Sequence, residues 1–183
     1  SGKGVPAALL MAVARTVVRN EAAAGAGPAD AARRTEAVLN ETRGRKVMFV
    51  TAFLAQYRVS TGQVRYVNAG HPKPYRIRTD GVIEEFGDVT SPILGVEAGQ
   101  LEGIHEKTET LWPGERLLMF TDGLSEARAP DGTFLGDDLR RVVGQYPRQT
   151  VAQLCTDLVR HVQLLGGEAL HDDITLMVLE RSA

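Results

Sequence analysis

Two apolar stretches constrain this chain more than any other feature. "RLLMFTDG" (Arg116–Gly123) and "DDITLMVL" (Asp172–Leu179) carry apolar residues at consecutive positions instead of alternating with polar ones. Runs of this kind are expected to be strands buried on both faces, in the middle of the architecture. Asp122 stands at the C-terminal end of the first run, and Asp172 and Asp173 stand at the N-terminal start of the second. If the two strands pair antiparallel, those ends coincide and carboxylates far apart in sequence converge at one sheet edge.

Carboxylates brought together repel and lose hydration unless a cation settles between them. Neither motif fixes a basic residue, so a hard divalent cation, Mg²⁺ or Mn²⁺, is the economical partner for an oxygen-only donor set. Such ions activate water and clamp phosphoryl groups, which points to metal-assisted hydrolysis of a phosphate ester. The competing reading is structural: an Asp-Gly turn bonding its own backbone, and an acidic pair capping a strand.

The rest of the chain is organised by changes of hydrophobic period. Pro6 suits a first helical turn, and Leu9, Leu10, Val13, Val17 and Val18 predict one buried helix face to about Ala23. "AGAGP" (Ala24–Pro28) breaks it, and a second helix is expected over Asp30–Thr42 with Ala31, Val38, Leu39 and Thr42 inward. "MFVTAFLAQYRV" and "QVRYVNAG", joined through Ser60–Gly62, read as a β-hairpin, and "PYRIRTDGVIEEF" repeats the device around Thr79-Asp80-Gly81. Residues 101–111 are expected to form a further strand, turned by "WPGE" (Trp112–Glu115) into "RLLMFTD". "GDDLRRVVGQY" predicts a short helix. A longer one follows, with Val151, Leu154, Cys155, Leu158, Val162 and Leu165 in phase. Helices, then antiparallel strands, then helices and a last strand make an α+β layered fold.

At 183 residues the chain has the size of a single domain, 1–183, with a core of its own. Its 21 Lys and Arg against 23 Asp and Glu leave a formal charge of -2, which gives no electrostatic case for nucleic acid or an anionic membrane. The single cysteine, Cys155, excludes an internal disulfide and falls on a helix's apolar face, where a core role outweighs that of a reactive thiol. The longest apolar run, Val5–Val18, is interrupted by Arg15 and is too short to span a bilayer. With no signal-peptide pattern either, the expected location is the cytoplasm. "SGKGVPAALL" starts without methionine and enters a helix at once, which suggests a fragment.

Taken together, "SGKGVPAALLMA", "MFVTAFLAQYRVSTGQVRYVNAGHPKPY", "SPILGV", "WPGERLLMFTDGLSEARAPDGTFLG" and "HDDITLMVL" resemble, in order and spacing, the SpoIIE-like bacterial branch of the PPM metal-dependent protein serine/threonine phosphatases. The resemblance implies a layered sandwich of two antiparallel β-sheets flanked by helices, here lacking the first strands. It also implies two Mn²⁺ or Mg²⁺ ions and a metal-bridging hydroxide that attacks phosphoserine or phosphothreonine. By position, Asp122 and Asp172 match metal-binding aspartates of the family, Asp173 is a supporting group, and Gly123 lets the backbone approach the metals closely. No catalytic residue apart from the metal ligands is implied. Family members usually read Asp-Val-Ser-Gly-Lys-Gly where this chain begins at the serine, and an earlier acidic motif has no counterpart. The residues present therefore supply part of a binuclear site, and the isolated chain is expected to bind metal weakly and to be nearly inactive.

The family's bacterial members imply a phosphorylated regulatory protein as partner, an anti-sigma-factor antagonist in partner switching. The exposed face of the first helix is expected to meet an upstream sensor or regulatory domain, or a second subunit in a homodimer. The first two helices are candidates for a regulatory switch, with Arg15 and Arg19 on the outward face. The alternative function is a catalytically inactive pseudophosphatase that binds a partner. An aspartate two positions before Ser1 would favour catalysis.

Other motifs weigh less. "SGKG" lacks the spacing of a nucleotide-binding P-loop, and helix capping outweighs phosphate contact there. "FTDGLSEA" resembles a haloacid-dehalogenase motif, but Leu124 stands where that chemistry needs a second aspartate. His71 in "AGHP" is expected to fix its turn by hydrogen bonding. His171, beside the acidic pair, is a candidate for shaping the site electrostatically without ligating.

Overall fold

The computed structural model describes residues 4–41, 49–96, 100–127, 139–145, 149–166 and 173–182. The elements run α1 (Val5–Ala23), α2 (Pro28–Glu41), β1 (Ala52–Arg58), β2 (Gln63–Ala69), β3 (Tyr75–Ile77) and β4 (Ile83–Glu85). A 3-10 turn at Gln100–Gly103 leads to β5 (Lys107–Thr110), β6 (Arg116–Phe120), the one-turn α3 (Asp122–Ser125), α4 (Leu139–Gly144), α5 (Val151–Gly166) and β7 (Leu176–Glu180). Two compact units result, Ser1–His71 with Asp88–Thr110, and Pro72–Gly87 with Leu111–Ala183. Each is built on an antiparallel sheet with helices against it, as the sequence implies.

In the first unit the sheet order is β1-β2-β5. The β1–β2 hairpin pairs Ala52 with Ala69 through Arg58 with Gln63, and Gly62 at φ 75° supplies the left-handed turn residue. Helix α1 stops at a Schellman motif: Gly25 sits at φ 84°, its N–H bonds Ala22 O at 3.0 Å, and the Ala26 N–H bonds Glu21 O at 3.0 Å. Helix α2 packs on β1 and β2, and α1 packs on α2. This order corrects the expected α1 stripe. Ala14 is the buried residue of α1, Leu10 and Val13 pack partly on the core, and Leu9 is 63% exposed. A helix resting on another helix, instead of on a sheet, needs only a narrow contact seam.

Helix α2 starts at Pro28, two residues before the expected Asp30, because proline fits the first helical turn. Ala31 and Leu39 are buried as expected, Val38 is half-buried, and Thr42 lies outside the described residues. Polar ties hold α2 to the loop before β5. Glu36, 3% exposed, accepts the Gly95 N–H at 2.6 Å and the Asn40 side-chain N–H at 2.9 Å. Arg33 donates to Ile104 O at 3.0 Å. Glu106 accepts the Ala29 N–H at 3.4 Å and pairs with Arg65 at 2.6 Å. The strand expected over 101–111 is correspondingly shortened. Ile104 is 1% exposed and the His105 N–H bonds Thr90 O at 2.9 Å, so the chain serves the core and a loop before it becomes β5.

In the second unit the order is β4-β3-β6-β7, antiparallel throughout. Leu118 and Phe120 of β6 join Val142, Leu154, Leu158 and Val162 of α4 and α5 in one core, with Leu176 and Val178 of β7 packed against it. The expectation that both apolar strands are buried on both faces holds for β6, where adjacent Leu117 and Leu118 are 1% and 0% exposed. It fails for β7, whose Met177 is 59% exposed. Among the described residues β7 is the edge of its sheet, and an edge strand has one flank fewer to cover it.

One close contact predicts a measurable cost. Gly70 sits at φ 67°, and a Cβ there would come 2.5 Å from Ile93 Cγ1. Gly70→Ala is expected to destabilise by about 2–4 kcal/mol through left-handed strain plus overpacking. Ile93→Ala in the same chain should recover the overpacking share and leave the backbone share, as read by urea unfolding.

Candidate functional site

The geometry of interest begins where β6 leaves its sheet. The ladder pairs Phe120 with Leu176, and the next rung still has the Thr121 N–H bonding Thr175 O at 3.1 Å. The return bond is different. The Thr121 carbonyl accepts the Leu124 N–H of α3 at 3.0 Å, so the Thr175 N–H goes instead to the Thr121 hydroxyl oxygen at 3.0 Å. That hydroxyl in turn donates to Asp173 O at 3.2 Å. One threonine thus lets the backbone turn from strand to helix without leaving a ladder group unpaired.

The turn places Asp122 as the first residue of α3, with its side chain exposed. Its Oδ1 accepts the Gly123 N–H at 3.0 Å, and its carbonyl accepts the Glu126 N–H at 2.6 Å. Gly123 and Leu124 are buried beneath it, Leu124 at 0% exposure. A buried plug therefore holds an exposed carboxylate at the strand end. The self-bonding expected of a turn aspartate is present, in a helical turn.

Across the ladder, Asp173 is exposed in the lead-in to β7, fastened through its carbonyl to Thr121. The end of β6 that carries Asp122 and the start of β7 that follows Asp173 adjoin. Asp172 and His171 lie outside the described residues. Among the described residues there is no group of three or more His, Cys, Asp or Glu side chains placed to hold a metal. The chemistry of the donor set nevertheless suits a hard cation: exposed carboxylates on adjoining strand ends, with Asp122 spending one bond on Gly123 and keeping further lone pairs outward.

The other candidates separate clearly. Arg15 and Arg19 are exposed on α1. Gly4 occupies the N-cap of α1 with no side-chain cap, so the expected capping reduces to backbone contact. The turn at His71 is fixed by a neighbour: buried Asn68 accepts the His71 N–H at 2.8 Å and donates to His71 O at 3.0 Å. Burial pushes the Cys155 thiol above its ordinary range, which favours the protonated, unreactive form. Thr121 and Asn68 escaped notice in the sequence. The available signal was a small polar residue at the point where each strand stops.

Among the described residues no helix is long and apolar enough to cross a membrane. The sequence profile of the SpoIIE family (Stage II sporulation protein E) matches residues 1–182. The chain is 27% identical over 181 residues to the phosphoserine phosphatase RsbU of Bacillus subtilis strain 168, covering 98% of this chain and 53% of that protein. It therefore spans about half the length of this relative. The RsbU and RsbW domains of a Mycobacterium tuberculosis protein superpose with a TM-score of 0.80 at 25% identity, over 100% of this chain and 49% of that one. The PP2C domain of SiaA from Pseudomonas aeruginosa gives 0.83 at 21% identity, over 98% and 72%. Two antiparallel sheets with their helices and a profile match over residues 1–182 lead to one conclusion: the chain belongs to the SpoIIE family and has the fold of the PP2C phosphatase domains.

Proposed function

We propose that this chain is the catalytic part of a metal-dependent protein phosphatase that hydrolyses phosphoserine or phosphothreonine on a regulatory protein, an anti-sigma-factor antagonist. The observation that carries the reading is the meeting of the Asp122 and Asp173 strand ends in a SpoIIE-family chain. The relative named as a phosphoserine phosphatase, and the neighbour that joins RsbU and RsbW domains, support a phosphoprotein substrate in partner switching. RsbX, a neighbour of the same fold at 17% identity, has been solved with magnesium.

In this reading Asp122 and Asp172 are the metal ligands, with Asp173 supporting them. In the intact domain, two Mn²⁺ or Mg²⁺ ions that these residues would help to hold would supply Lewis acidity toward a phosphoryl group and toward water. The protein's own part is placement. The Gly123 N–H orients the Asp122 carboxylate, buried Gly123 and Leu124 stop it from swinging inward, and Thr121 sets the distance between the two strand ends. Exposure of the Asp122 and Asp173 carboxylates leaves them open to a loop that carries a phosphoserine. A pseudophosphatase would share the fold and bind the same partner, and turnover separates the two.

Turnover of a phosphoserine peptide by the full-length protein should require Mn²⁺ or Mg²⁺ and cease in chelator. Asp122→Asn should lower it by at least on the order of 100-fold with an unchanged circular dichroism spectrum. Activity that survives in chelator, or an Asp122→Asn protein as active as the parent, would sink the assignment.

Thr121→Val keeps the shape and removes the hydroxyl. The Thr175 N–H loses its acceptor, and about 1 kcal/mol of stability should go with it. Because the strand ends loosen, apparent metal affinity should fall about 10- to 100-fold while kcat at saturating metal changes less. Titration of activity with Mn²⁺ reads the difference.

The first two helices also enter this reading, as a switch facing an upstream domain or a second subunit. Support comes from the uneven anchoring of the pair: α2 is tied to its neighbouring loop by Glu36, Arg33 and Ala29, whereas Ala14 alone is buried in α1. Arg15→Trp or Arg19→Trp should alter activation of the full-length protein by its signal, with a melting temperature within about 2 °C of the parent. An unchanged response across both would make the helices simple cover.

A further inference from the structure

On the second unit a cluster of charges has no part in the metal site. Glu85 of β4 accepts from Lys73 Nζ at 3.0 Å and from Arg140 Nη2 at 3.0 Å. The Arg140 guanidinium also lies over the Tyr75 ring, 5.4 Å from its centroid. Side-chain exposures of 35% for Lys73, 45% for Glu85 and 51% for Arg140 leave all three open to solvent. The Lys73 hydrogen bond first, then the charges of Lys73 and Arg140, hold the Glu85 carboxyl below its usual range. Glu85 is therefore ionised at neutral pH, and the trio has two positive charges against one negative. Glu84, the next residue, is taken up by Arg76 at 3.3 Å. Lysine and arginine together have more N–H donors than a single carboxylate can accept.

The position of the trio gives it meaning. The β3–β6 ladder pairs Tyr75 with Leu118 and Ile77 with Arg116, so the chain before β3 runs toward the end of β6 that carries Asp122. The Tyr75 and Phe120 rings, 5.2 Å apart, mark that direction. Lys73 lies two residues before β3 and Asp122 two residues after β6; if both segments kept the ladder's spacing, their Cα atoms would lie roughly 8 Å apart. An extended peptide advances about 3.3–3.6 Å per residue. A side chain two to four positions from a phosphoserine held at Asp122 would therefore reach the trio.

We propose that Lys73 and Arg140 form a specificity site for an acidic residue two to four positions from the phosphorylated residue of the substrate protein. The assignment rests on the phosphatase reading above and adds a substrate class to it. Exposed ion pairs of this kind contribute little to stability, so an incoming carboxylate can join or displace Glu85 at small cost. Charge complementarity near a site acts mainly on encounter and on choice among partners, which is where this cluster would exert its effect.

The test compares two phosphoserine peptides in the purified full-length protein with Mn²⁺, one with glutamates at positions two to four on either side of the phosphoserine and one with alanines there. The double variant Lys73→Glu with Arg140→Glu should lower kcat/KM for the acidic peptide about 10- to 100-fold, chiefly through KM, and leave the alanine peptide within about two-fold. Glu85→Gln should raise kcat/KM for the acidic peptide, and high salt should shrink every difference. Equal losses on both peptides, or no loss on either, would overturn the proposal. Fluorescence anisotropy with the labelled acidic phosphopeptide separates the two readings. Binding that depends on Lys73 and Arg140 without turnover sinks the phosphatase assignment and keeps the docking site, whereas turnover with charge-independent binding does the reverse.

Discussion

The second unit depends on how one strand ends. At Thr121 the backbone leaves a sheet and enters a helix, and its carbonyl turns from the β7 ladder toward the helix. It goes to α3 through the Leu124 N–H, and the side-chain hydroxyl takes over toward β7 by accepting the Thr175 N–H and donating to Asp173 O. The Thr175 N–H keeps an acceptor within the protein, so this substitution of hydroxyl for carbonyl permits an abrupt turn. The abruptness has a chemical result: Asp122 emerges at the tip, exposed, above a buried Gly123-Leu124 plug. Without the plug the carboxylate could fold back, and without the hydroxyl the neighbouring strand start could drift.

The first unit uses charge for a comparable purpose. Glu36 is almost wholly buried, and the N–H groups of Gly95 and Asn40 solvate its carboxylate. Arg33 and Glu106 tie the N-terminal part of α2 to the same stretch of chain. Long-range polar ties hold α2 in place, while α1 leans on it through a narrow seam and leaves Val5, Leu9 and Met11 exposed. The more apolar helix, α1, is thus the less firmly held of the two, a property invisible in either one's hydrophobic pattern.

The cation–carboxylate trio around Glu85 shows a third use of charge, at the surface. Its members come from the segment just before β3, from β4 and from α4, and the β3–β6 register directs the segment before β3 toward the end of β6 that carries Asp122. Ion pairs so exposed contribute little to holding elements together. The direction of the β3–β6 ladder, toward the Asp122 end of β6, is what distinguishes them from the other surface pairs, such as Arg33 with Asp30 or Arg78 with Asp80.

The sequence by itself determined the element types, both hairpins, the antiparallel meeting of the two apolar strands and the position of Asp122 at a strand end, because these follow from local period, turn chemistry and strand direction. Only the tertiary structure decided which faces were covered. Leu9 and Met177 look identical to core residues in the sequence, yet they are 63% and 59% exposed, since burial depends on what lies opposite and not on the residue. The same holds for residues 101–106, where a strand-like stretch is diverted by the need to seat Ile104 in the core. Thr121, Asn68 and Glu36 are ordinary polar residues in the sequence. Their roles depend on partners up to 59 positions away, and no local pattern records which N–H a distant fold will leave for them to accept.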